Sequence, residues 1–135
     1  MFDSKMKILI VDDFEVMRFN MKKILKNLGL EQITEAVDGQ DAWEKIQAAH
    51  TDGVPYDIIF LDWNMPRMSG LEVLVNCKKD EKLKSIPIIM TTAEREQKSI
   101  IAALSSGASD YIVKPFNAAV VQEKLAKQLQ TQKAG

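Results

Sequence analysis

Five polar side chains stand where short apolar runs stop: Asp12 and Asp13, Asp62 in L-D-W-N-M-P, Thr92, and Lys114, the last followed by Pro115. If the runs before Asp12 and Asp62 are neighbouring strands, three carboxylates meet in one pocket. Two carboxylates about 4 Å apart repel by about 4 kcal/mol at an effective dielectric near 20, so positive charge must sit among them. Lys114 supplies one charge and a divalent cation the rest. With no Cys or His cluster nearby, the donors are oxygens, which points to magnesium, an ion usually held by one or two carboxylates plus waters and phosphate oxygens. Such a pocket suits phosphoryl transfer. Asp62 would attack phosphorus, the metal and Lys114 would neutralise the equatorial oxygens, and Thr92 would donate to one of them.

Each of these residues also has an ordinary reading. Asp12 and Asp13 could cap the first helix, Asp62 could cap a strand end, and Thr92 could cap the fourth helix. Tyr111 taken alone is a strand aromatic. Lys114 could be a surface lysine, although Pro115 fixes a turn after it. Joint placement favours the pocket. Elsewhere, His50 reads as a loop residue at the end of the second helix, Cys77 as helix packing, and Met17 and Met21 as core. Trp43 reads as partly buried packing, and Trp63, beside Asp62, as a fluorescent reporter of the pocket.

The elements that must position these groups alternate along the chain. Nearly continuous apolar runs at Met6 to Val11, Ile58 to Leu61, Ile86 to Met90 and Tyr111 to Val113 predict strands covered on both faces. Ile33 to Val37 is a more polar strand suited to a sheet edge. Helical spacing links Phe14, Met17, Met21, Ile24, Leu25 and Leu28, closed by Gly29. It also links Ala42, Ile46 and Ala49; Leu71, Leu74 and Val75; Ile100, Ile101 and Leu104, closed by Gly107; and Ala118, Val121, Leu125 and Leu129. Five strands alternating with five helices predict an α/β fold, a doubly wound parallel sheet in which function collects at the carboxyl edge.

Composition sets the bounds. The 135 residues suit one domain spanning 1–135, with 130–135 free to fray. A net charge of −1 offers no basic field for nucleic acid. No apolar run reaches the 18 or more residues of a membrane span, and two aspartates follow the first short one. The single cysteine excludes an internal disulfide. A cytoplasmic monomer, without nucleic acid or membrane insertion, is expected.

V-D-D, D-W-N-M-P, T-A-E and K-P-F, at their joint spacing, resemble the receiver domain of two-component response regulators, of the chemotaxis (CheY-like) type. The likeness runs from about Lys7 to Leu129. It implies a flavodoxin-like sheet of strand order 2-1-3-4-5, for which this family is a standard example. It further implies that Asp62 is the phosphoacceptor, with Asp12, Asp13, Asp62 and the Asn64 carbonyl around Mg2+. Lys114 would pair with the phosphoryl group across a cis bond to Pro115. Thr92 and Tyr111 would form the switch, and Asn64 and Glu94 would tune dephosphorylation. The implied donor is a histidine kinase (CheA-like), and the implied output is a surface of helix 4, strand 5 and helix 5 that binds the flagellar switch or another receiver-binding protein. The protein is thus expected to be a self-phosphorylating switch rather than an enzyme.

Three features depart from the chemotaxis pattern: Glu15-Val16 where Ser-Thr is typical, Arg95 after T-A-E, and the longer connection Thr51 to Pro55. A phosphate sink or a phosphorelay intermediate would keep the same pocket. A haloacid-dehalogenase-type phosphatase would need D-x-D early in the chain and a cap, and a flavin binder would face repulsion between D-D-F-E and the flavin phosphate.

Overall fold

The computed structural model describes residues 2–93 and 97–134. Five parallel strands, β1 (Lys7–Val11), β2 (Gln32–Ala36), β3 (Ile58–Asp62), β4 (Ile88–Thr92) and β5 (Asp110–Val113), form one sheet of order β2-β1-β3-β4-β5. Between and after them run α1 (Glu15–Asn27), α2 (Gly39–Thr51), α3 (Gly70–Lys79), α4 (Gln97–Ser105) and α5 (Ala118–Ala134). The flavodoxin-like architecture and strand order match those that the family resemblance implies.

Alternate strand residues feed two cores, as the two-residue side-chain period requires. Leu9, Val11, Ile59, Leu61, Ile88 and Met90 pack with Ala42, Ile46, Leu74, Cys77 and Ala103, so α2, α3 and α4 cover one face. Ile8, Ile10, Ile58, Phe60, Ile89 and Ile112 pack with Met21, Leu25, Val121 and Leu125, so α1 and α5 cover the other. Strands buried on both faces lose the polar alternation of a half-exposed strand, which is why they read as continuous apolar runs.

Register brings the polar strand ends together. Val11 lies opposite Leu61, which places Asp12 beside Asp62. Asp62 lies opposite Thr91, and Thr92 lies opposite Val113, the residue before Lys114. The chain leaving Asp62 then turns tightly into α3. A Cβ on Gly70 would stand 2.0 Å from the Asp62 carbonyl oxygen, so only glycine fits there.

Several local expectations are corrected. The fourth strand starts at Ile88 rather than Ile86, because Pro87 has no N–H to donate and contributes only its carbonyl, which accepts from Ile59 N–H. His50 belongs to the last turn of α2 instead of a loop, and the chain reverses later, at Gly53, whose φ is 79°. Phe14 is the N-cap of α1 and is 65% exposed, and Ile101 of α4 is also exposed. Met17 is half-buried, whereas Met21 is fully in the core. Cys77 is buried as expected, and burial pushes its thiol up to about 12.

Candidate functional site

Asp12 is tied down at both its backbone and its side chain at the carboxyl edge. Its N–H donates to the Ala36 carbonyl (3.2 Å), its Oδ1 accepts from Phe14 N–H (2.9 Å), and its Oδ2 accepts from Lys114 Nζ (2.6 Å). It does not cap the helix interior, since α1 has no side-chain cap. Asp13 follows on the exposed rim. Asp62, the last residue of β3, is buried and accepts from Lys114 Nζ at 3.1 Å. One oxygen from each of Asp12, Asp13 and Asp62 can be chosen so that all three lie within 4.8 Å of one another.

Three acids and one lysine leave an excess of negative charge. Burial raises the Asp62 pKa most, Lys114 lowers it, and Asp12 and Asp13 raise it again, leaving it at about 6 against an ordinary 3.8. For Lys114, burial favours loss of the proton, but the hydrogen bonds and attraction of Asp12 and Asp62 together outweigh it and raise the pKa. The Lys114 ammonium is therefore held charged between two carboxylates. An all-oxygen donor set with unneutralised charge, open to solvent at Asp13, fits a hard divalent cation such as magnesium.

Around this centre, Thr92 is buried at the end of β4, and its carbonyl accepts from Lys114 N–H at 2.7 Å. The Lys114–Pro115 peptide is cis. Asn64 is exposed on the β3–α3 loop, and Trp63 beside it is half-buried. Tyr111 is half-buried on β5, with the Lys124 ammonium 5.0 Å from its ring centroid. Lys124 is anchored by Asp110 at 3.0 Å. Glu94 and Arg95 lie outside the described residues. Asp62, Asp12, Asp13 and Lys114 are thus brought together, with Thr92 adjoining them, while Tyr111 and Asn64 stand on flanking segments.

Two further groups on the pocket's outer side were not singled out from the sequence. Arg18 of α1 donates to the Asp12 carbonyl, and Arg67 pairs with Asp38 at 3.6 Å across the gap between the β3–α3 loop and α2. Arg18 lies one helical turn beyond Phe14, a spacing that would let it reach back over the turn after β1. Nothing in the sequence marked it apart from other surface cations.

A doubly wound sheet with an acidic triad, a hydroxyl and a lysine at its carboxyl edge defines a receiver, and this chain belongs to the response regulator receiver domain family, whose pattern matches residues 8–126. Within that family it is of the chemotaxis CheY type. It is 44% identical over 125 residues to chemotaxis protein CheY-3 of Vibrio cholerae, covering 93% of this chain and 92% of that protein. It is 43% identical over 120 residues to chemotaxis protein CheY1 of Helicobacter pylori, covering 89% and 94%. Its fold is similar to the solved CheX-CheY-BeF3-Mg+2 complex from Borrelia burgdorferi, with a TM-score of 0.84, 29% identity, and coverage of 92% of this chain and 89% of that one. No helix among the described residues is long and apolar enough to cross a membrane.

Proposed function

We propose that the protein is a phosphorylation switch, a receiver unit over residues 1–135, in which Asp62 takes a phosphoryl group from a histidine kinase. The observation that carries this reading is the Lys114 ammonium held between Asp12 and Asp62, at 2.6 and 3.1 Å. It keeps one carboxylate buried, ionisable and facing a fixed cation. Asp12, Asp13, Asp62 and the Asn64 carbonyl would hold Mg2+, which when bound supplies Lewis-acid neutralisation of the phosphoryl oxygens.

In the transfer, an Asp62 carboxylate oxygen attacks phosphorus, the bond to the donor imidazole nitrogen breaks, and that electron pair leaves on the ring. Lys114 moves from Asp62 toward the new phosphoryl oxygen, and the Thr92 hydroxyl donates to another. Tyr111 then turns toward the space by Thr92, which alters the face of α4, β5 and α5. Asn64 and Glu94 set access of the hydrolytic water to the acyl phosphate. The changed face is the output, read by the flagellar switch or by another receiver-binding protein. Chemotaxis relatives at 43–44% identity support a chemotaxis output, and the solved CheX-CheY-BeF3-Mg+2 complex from Borrelia burgdorferi, of similar fold, is a CheY bound to a partner.

The test is Trp63 emission during titration with magnesium and then acetyl phosphate, followed by pull-down of the beryllofluoride-bound protein against flagellar switch and kinase fragments. Emission that ignores both additions contradicts the switch. Capture by kinase fragments alone assigns the protein to a phosphate sink or relay.

A further inference from the structure

Arg18 makes two contacts that tie the acidic pocket to the edge of the sheet. Its Nη1 donates to the Asp12 carbonyl at 2.8 Å and its Nε to Glu35 Oε1 at 3.1 Å, with the side chain only 12% exposed. Glu35, on the edge strand β2, is itself fixed: its other oxygen pairs with Lys22 at 3.4 Å, and its carbonyl accepts from Lys45 Nζ at 2.6 Å. Lys45 is in turn anchored to Asp41 in the first turn of α2. The planar guanidinium spans both partners at once, which a flexible ammonium cannot do with the same rigidity.

The Asp12 carbonyl begins the turn into α1, and that turn also carries the exposed Asp13. Lys114 restrains Asp12 from inside the pocket, and Arg18 restrains its backbone from outside. We propose that Arg18, oriented by Glu35, is a positioning residue that holds the β1–α1 turn so that the Asp12 and Asp13 carboxylates are set for a divalent cation. This rests on the reading of the pocket as a magnesium site. Partners of this kind, behind the ligands of a metal, typically change affinity by about 10- to 100-fold when removed.

The sign of the effect separates positioning from simple charge. Removing a cation near a divalent ion relieves repulsion, so charge alone makes Arg18→Ala bind magnesium more tightly. Positioning makes it bind more weakly.

The experiment is calorimetric titration of the full-length protein with magnesium alone, well below the unfolding temperature. Wild type, Arg18→Ala, Arg18→Lys, Glu35→Gln and Lys22→Ala are compared. Arg18→Ala is expected to be roughly tenfold weaker. Arg18→Lys, which keeps the charge and loses the planar fork, should fall between it and wild type, and it carries the test should Arg18→Ala fail to fold; Glu35→Gln should also bind more weakly than wild type. Lys22→Ala, which touches Glu35 but not Asp12, should match wild type. Equal or tighter binding by the Arg18 variants, or an equal loss in Lys22→Ala, overturns the inference alone. A wild type that takes up no magnesium overturns this inference together with the reading of the pocket.

Discussion

Lys114 Nζ bridges Asp12 Oδ2 and Asp62 Oδ1 at 2.6 and 3.1 Å, so one cation at the end of β5 ties together the ends of β1 and β3. The lysine is 10% exposed and both carboxylates are nearly buried. Removing one member of a buried ion cluster leaves the others uncompensated, which costs about 3–5 kcal/mol. Lys114→Met is expected to lose stability on that order in chelator, measured by urea unfolding. Magnesium should restore part of the loss, because it replaces the missing positive charge. It should not restore phosphorylation at the wild-type rate, since the phosphoryl oxygen has lost its partner.

The raised pKa of Asp62, about 6, makes a prediction with a definite sign. The folded state binds the proton more tightly than the unfolded state does, so without metal this group destabilises the fold as pH rises from about 4 to about 6. The penalty is absent below the ordinary 3.8 and full above about 6. It amounts to as much as about 3 kcal/mol from a two-unit shift. In chelator, Asp62→Asn should therefore be more stable than wild type at pH 7.5, with the gap closing toward pH 4. Thermal unfolding across this range checks it, and a gap independent of pH would contradict the assigned burial.

Gly70 sets the exit from the nucleophile's strand. A methyl group there would meet the Asp62 carbonyl oxygen at 2.0 Å, and backbone on both sides must move. Gly70→Ala should cost about 1–3 kcal/mol or more through overpacking, and it should slow labelling of Asp62 more than it slows labelling in an equally destabilised core variant such as Leu25→Ala. Equal rates in the two would mean that the turn does not position the carboxylate.

Cys77 provides a check on the packing of α3. Its thiol is buried and pushed up to about 12, so the reactive thiolate is scarce at neutral pH. A thiol reagent at pH 8 should react only as fast as the protein opens, and rapid stoichiometric reaction in native buffer would contradict the packing.

Much of this was legible in the sequence, for identifiable reasons. Strands covered on both faces leave unbroken apolar runs, and each run ended on a polar residue that the register carried to the same edge. Asp12, Asp62, Thr92 and Lys114 are therefore legible as strand-end polar groups in the sequence itself. Arg18 and Glu35 were not, because their link joins a helix to an edge strand and leaves no local periodicity. Phe14 was misplaced on the buried face because N-cap residues share the helical spacing without sharing the helix's orientation. The start of β4 was misplaced because Pro87 is apolar yet cannot donate to the ladder.

The most direct test of the central claim is incorporation of one phosphoryl group from acetyl phosphate, followed by intact-protein mass, with and without magnesium, in wild type and Asp62→Asn. Incorporation in wild type only, and only with magnesium, is the predicted result. Label that forms without the metal, or equally in Asp62→Asn, would contradict the account.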